Sequence, residues 1–206
     1  MWLQVSHPEF FRAVWAIAPD PLDFRYFYHV DAIPGSSDNF YSRPDGAPRY
    51  LTRRRSTTMR HLMQDIDDVP SRGGTISSYE FAWSPRGADG LPLRLFDRAD
   101  GALEEVTLEA WQAYDVEAVL DRGGATLREA LGGKVNIYCG ARDDFSYNQP
   151  TSALCHFLRE AHYAAVCRVV PGRTHSSVFR PTNAYPLGLR HLILSQASAL
   201  AHAAAQ

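Results

Sequence analysis

An α/β architecture follows from three features of the sequence. Three short apolar runs, Ala13 to Ala18, Val135 to Cys139 and Ala165 to Val170, are each closed by proline or glycine. A stretch with helical spacing joins the second run to the third. A further helical stretch follows the last run. Strand, helix, strand is a βαβ unit, and such units build parallel sheets.

The elements are justified in chain order. The segment MWLQVSHPEFFR, Met1 to Arg12, reads as the last turns of a helix turning into a strand. It carries His7, Pro8 and Glu9 where the apolar stretch of a signal peptide would run. No leader is legible, and the compartment stays unassigned. A chain that opens inside an uncapped helix is expected to continue upstream. The three runs lack in/out alternation, so all three are expected to be covered on both faces, the habit of parallel sheets. Between the last two, Ala153, Leu154, Phe157, Leu158 and Ala161 form one helical stripe. Asn148 is the expected N-cap and Pro150 fits the first turn. In the C-terminal helix, Leu187 to Ala205, the apolar face is Leu189, Leu192, Ile193, Ala197 and Leu200.

Residues 22–134 are an insertion after the first strand, expected to be mostly helical. Leu51 to Ile66 is assigned to helix with Leu62 and Ile66 inward. Leu108 to Leu120 and Thr126 to Leu131 are helices split by Gly123-Gly124. Pro85 to Gly101 is dense in Gly, Pro and Asp and reads as loop or hairpin. Trp83 and Trp111 are expected to pack inside the insertion. No boundary is sharp enough to divide the chain, so a single domain over residues 1–206 is expected.

Composition excludes several classes. With 45% hydrophobic and 21% charged residues, the chain is globular and not disordered. A net charge of -2 disfavours general nucleic-acid binding, which draws on a basic excess. No apolar run approaches the roughly 20 residues of a membrane helix. Three cysteines with no C-x-x-C pair argue against a disulfide scaffold or zinc knuckle; Cys155 is expected to pack, and Cys139 and Cys167 to be buried thiols. Cys139 precedes its strand's end and is a poor candidate nucleophile. The eight histidines show neither H-E-x-x-H nor H-x-H, and His156 and His162 fall on different helix faces, so no metal is expected. No cofactor is expected either, because no glycine-rich phosphate loop is present. The Arg53-Arg54-Arg55 triplet is read as a solvated helix face.

The strongest chemical constellation lies after the last two strands. Asp143 and Asp144 follow one run by four and five residues, and His175 follows the other by five. Open α/β sheets place ligands at the carboxyl ends of their strands. A carboxylate holding one imidazole nitrogen orients the ring and leaves the other nitrogen as general base. Spacing alone does not separate the two aspartates. The aromatic group Phe24, Tyr26 and Phe27 either lines an acyl or aryl pocket or forms insertion core.

VNIYCGARDDFSYN, a helix, then VVPGRTHSSVF together resemble the esterase D-like branch of the α/β-hydrolase superfamily. The shared pattern is strand, Gly-x-x-Asp, helix, strand, Pro-Gly-x-x-His. HPEFFRAVWAIAPDPLDFR resembles the segment after that family's nucleophile helix, and FAWSPRGADGLPLRLFDRADG an insertion in some bacterial members. The resemblance implies the C-terminal part of a hydrolase sheet, with Asp143 as triad acid, Asp144 as alternative acid and His175 as base. It implies a small-molecule ester as substrate of the complete protein. No serine here has glycine at both -2 and +2, so the nucleophile elbow is missing from these residues and the chain alone is expected to lack triad activity. The open edge of the first strand is expected to expose apolar surface and favour self-association. The rival reading is a non-catalytic binding or interaction protein derived from the same fold.

Overall fold

The computed structural model describes residues 1–64 and 74–203. The chain divides into two compact units. One takes in Met1–Asp20, Gly123–Asp143 and Tyr147–Gln206; the other takes in Pro21–Arg122 and Asp144–Ser146. Residues 123–134 fall in the first of these units, with the sheet.

The first unit opens with the short helix α1 (Trp2–Ser6) and the strand β1 (Val14–Ile17). β2 (Val135–Gly140) and β3 (Ala165–Val170) complete a parallel sheet in the order β1-β2-β3. Ile17 pairs with Tyr138, and Tyr138 with Arg168. This is an α/β fold. Only the central strand β2 is buried at every residue. β3 alternates, with Val166 and Arg168 outward, and β1 is half-buried throughout. Cover on both faces was therefore expected too broadly: among the described residues each outer strand has only one strand neighbour.

The crossover helix α6 (Asn148–Glu160) packs on β2 and β3 through Pro150, Thr151, Leu154 and Leu158. Its N-cap is Tyr147 and not Asn148, and no side chain of the capping residue closes it. Cys155 of α6 and Cys167 of β3 form a disulfide across a Cα separation of 5.3 Å. This corrects the reading of both as packed thiols. Residues on a strand alternate in direction, and Cys167 falls on the phase that meets α6. The opposite phase carries Tyr138 and Val170. These pack with Val178 and with Leu189 of α7 (Gly188–Ala203), with Trp15, Ile17 and Leu192 around them. Leu200, expected on the apolar face, is 39% exposed; residues 204 and 205 of the expected helix lie outside the described residues. No helix among the described residues is long and apolar enough to cross a membrane.

The second unit contains α2 (Met59–Leu62), α3 (Thr75–Trp83) and α4 (Glu105–Trp111). The helical stretch α5 (Val116–Ala130) is interrupted at Gly124, whose φ of 50° and ψ of -137° leave the helical region. The expected Gly-Gly break is thus present, and the unit boundary falls beside it. The expected helix begins only at Met59, eight residues later than expected, and helical turns run on through Gln64; Ile66 lies outside the described residues. In residues 21–58 the only helical residues are a three-residue 3-10 turn, Phe24–Tyr26, beside isolated antiparallel bridges, so this stretch is less helical than expected. Polar side chains bond loop backbone here in place of helical partners. Arg49 Nε donates to the carbonyls of Asn39 and Ser42 at 2.8 and 3.0 Å, and its terminal nitrogens donate to His29 O and the Asp38 carboxylate. Glu80 accepts from the Leu95 N–H and from Arg98, both at 2.7 Å. Phe24, Phe27, Tyr79, Trp83 and Trp111 form an edge-to-face and stacked core.

The disulfide closes a short loop between helix and strand. Replacing both Cys155 and Cys167 by serine is expected to lower the free energy of unfolding by about 2–3 kcal/mol, read from urea denaturation under non-reducing conditions. An unchanged midpoint would show that the bond contributes nothing to the fold.

Candidate functional site

The site grows from the ends of β2 and β3. Past the strands the backbone pairing continues: Ala141 N–H donates to Val170 O at 2.9 Å and Arg142 N–H to Arg173 O at 2.7 Å. The two loops therefore stay in contact. Gly140 is what allows the approach. A Cβ there would lie 2.5 Å from Arg173 O and 2.6 Å from Thr174 O, both backbone atoms that cannot turn aside.

Beyond Gly140 the chain turns, with Asp143 N–H donating to Gly140 O at 3.0 Å. The turn folds the Asp143 side chain inward, and the residue is fully buried. A buried carboxylate needs donors. Oδ1 accepts from Tyr147 N–H at 3.2 Å, and Oδ2 lies 2.9 Å from His175 Nδ1 and 3.7 Å from the Cys139 thiol. The Tyr147 contact also satisfies an N–H at the start of α6, where a negative charge is favoured.

His175 sits in a turn held by Thr174 N–H donating to Ser177 Oγ at 2.8 Å. Its side chain is 35% exposed. The ring of Tyr147 meets it edge-on at 5.7 Å. A carboxylate only accepts, so the proton of this contact belongs to Nδ1 and the neutral ring carries its lone pair on Nε2. The arrangement can take up a proton at Nε2 while the carboxylate stabilises the charge that results.

Asp144 is placed differently. Its carbonyl accepts from Arg53 N–H at 2.8 Å, and its carboxylate lies 3.9 Å from Arg54 Nε. Asp143, not Asp144, is the aspartate bonded to His175 Nδ1. The arginine triplet lies in a turn and not on a helix face, a correction that follows from the later start of α2. Phe24 and Phe27 are 1% and 0% exposed within the aromatic core, so they offer a ligand no surface. Tyr26 is 41% exposed. Two contributors carried too weak a signal to be named from sequence. Gly140 reads as a strand terminator, although Gly-x-x-Asp places it. Tyr147 reads as a residue before a helix, although that position exposes an unbonded N–H.

Cys139 is buried beside the carboxylate. Burial, reinforced by the Asp143 charge, pushes its thiol up to about 12. Below that pH it remains a neutral thiol and a weak nucleophile. Among the described residues no group of three or more His, Cys, Asp or Glu side chains could hold a metal ion.

A scan against protein-family models finds no match, and a search of curated proteins finds none.

Two outcomes follow from the geometry. Cys139 should resist iodoacetamide in the folded protein at about pH 8 and react fully only after denaturation; prompt native-state alkylation, read by mass spectrometry, would contradict its burial. Gly140→Ala should cost about 1–3 kcal/mol and part the two loops. The proton between His175 and Asp143 should give a downfield NMR resonance that is lost in this variant and in Asp143→Asn. Persistence of the signal in Gly140→Ala would show that the close approach is dispensable.

Proposed function

We propose that the Asp143–His175 pair is the acid–base half of a serine-type carboxylic-ester hydrolase. The observation that carries this reading is the 2.9 Å contact between His175 Nδ1 and a fully buried carboxylate at neighbouring strand ends of a parallel sheet. The order acid before histidine and the Gly-x-x-Asp and Pro-Gly-x-x-His spacings support it. In this reading a serine hydroxyl transfers its proton to His175 Nε2 as its oxygen bonds the ester carbonyl carbon. The imidazolium, held by Asp143, returns the proton to the departing alkoxide as the carbon–oxygen bond breaks. Water then repeats the sequence on the acyl-enzyme and releases the acid.

The reading requires a glycine-flanked serine from residues other than these 206, because none of them has glycine on both sides at the elbow spacing. The test begins with the coding DNA. An in-frame Gly-x-Ser-x-Gly is expected within about thirty codons upstream of Met1. The extended chain should be labelled by a fluorophosphonate probe and hydrolyse short-chain 4-nitrophenyl esters. His175→Ala should lower its kcat about 10³-fold or more, whereas the 206-residue chain should not be labelled. Ester turnover by the 206-residue chain that survives His175→Ala would overturn the mechanism.

A further inference from the structure

The two units differ in charge more than the whole chain reveals. The sheet unit carries nine Arg and Lys against five Asp and Glu, although the complete chain has a net charge of -2. Part of this excess lies on the loops that carry the proposed site. Residues 145–206 contain five arginines and a single carboxylate side chain, Glu160, which is taken up by Arg159 at 3.3 Å. Three arginines lie on the loops that deliver the pair. Arg142 directly precedes Asp143, Arg173 stands two residues before His175, and Arg180 lies five residues after it. None has a carboxylate partner among the described residues. Arg142 and Arg180 are exposed, and Arg173 is half-buried.

The loop after β3 also forms an open groove of about 870 Å³. Arg173, Thr182 and Asn183 are its polar lining, and Pro171, Pro181 and Pro186 form walls. Arg173 donates to the Pro181 carbonyl, which holds its guanidinium in the groove. No carboxylate lines it. Uncompensated cations beside a cleft raise the local concentration of anions and speed their association. A guanidinium also matches the paired oxygens of a carboxylate or phosphate.

From this we propose that the site takes anionic esters, in which a carboxylate or phosphate group lies beside the ester to be cleaved. The proposal rests on the acid–base reading of Asp143 and His175 and names its substrate class. Arg142 and Arg173 are the residues that select the oxyanion; Thr182 and Asn183 supply neutral donors.

The test uses binding, so it does not depend on a nucleophile. The 206-residue chain is titrated with monomethyl succinate and, separately, with dimethyl succinate, which has the same carbon skeleton without the charge. The readout is the chemical shift of the His175 ring. The monoester is expected to bind at least about tenfold more tightly than the diester, and to weaken as salt rises from about 50 to about 500 mM. Arg142→Gln should weaken the monoester about fivefold and leave the diester unchanged. Its exposed side chain shows no partner among the described residues, so the variant keeps the fold; the downfield His175–Asp143 proton checks that. Arg173→Gln should act in the same direction. Equal affinity for the two esters, or no saturable shift with either, overturns the proposal. Absence of any glycine-flanked serine upstream would instead overturn the hydrolase reading, and would leave the preference for the monoester standing.

Discussion

The close approach of two loop backbones at Gly140 is the constraint on which the rest of the site depends. A hydrogen atom in place of a Cβ lets the carbonyls of Arg173 and Thr174 come within contact of the end of β2. That proximity makes the Arg142-to-Arg173 hydrogen bond. It also brings the residue after Arg142 within reach of the histidine two positions beyond Arg173. The placement of the pair is thus set by backbone sterics before any side chain contributes.

The Asp143 carboxylate adds the second constraint. A charged group at zero exposure is tolerated only where fixed donors replace water. Here the donors come from two elements: Tyr147 N–H at the start of α6 and the His175 ring after β3. Each fixes the other through the shared carboxylate. The helix start, the strand end and the imidazole are therefore mutually located, and a side chain placed by rigid elements holds its geometry better than one on a mobile loop. Ser146, a non-glycine residue at φ 63°, shows that the short segment between Asp143 and Tyr147 accepts backbone strain to complete this turn.

The parts legible in the sequence were those encoded by local pattern. The apolar runs marked all three strands to within a residue or two, because Pro and Gly end them sharply. The stripe at Leu154 and Leu158 marked α6, and Gly123-Gly124 marked the break in α5. Asp143 and His175 were legible because their distance from the strand ends is itself local. What escaped depends on the third dimension. Cys155 and Cys167 meet only because Cys167 falls on the strand phase that faces α6, which no spacing rule states. Asp143 and Asp144 are neighbours in sequence yet bond to different partners. The region after residue 51 has helix-forming residues, but Leu51 N–H donates to Thr57 O and Met59 N–H to Arg49 O, which pairs its two ends as a loop. In such a segment local propensity yields to backbone pairing at a distance.

The disulfide and the buried pair also bear on one another. Cys155 lies in the helix whose first residues hold Asp143, and Cys167 lies in the strand whose end leads to His175. A covalent tie between these two elements restrains the separation that the 2.9 Å contact needs, from cysteines that touch neither partner. Packing of Leu154 and Leu158 against the sheet does the same without a bond. The imidazole is thus positioned by three layers of different strength: a covalent bond between helix and strand, an apolar seam beneath it, and hydrogen bonds at the tip. The weakest layer is the one nearest the Asp143–His175 contact. Its bonds gain strength from the low dielectric that the other two maintain, since a contact to a buried carboxylate is worth more than the same contact in water.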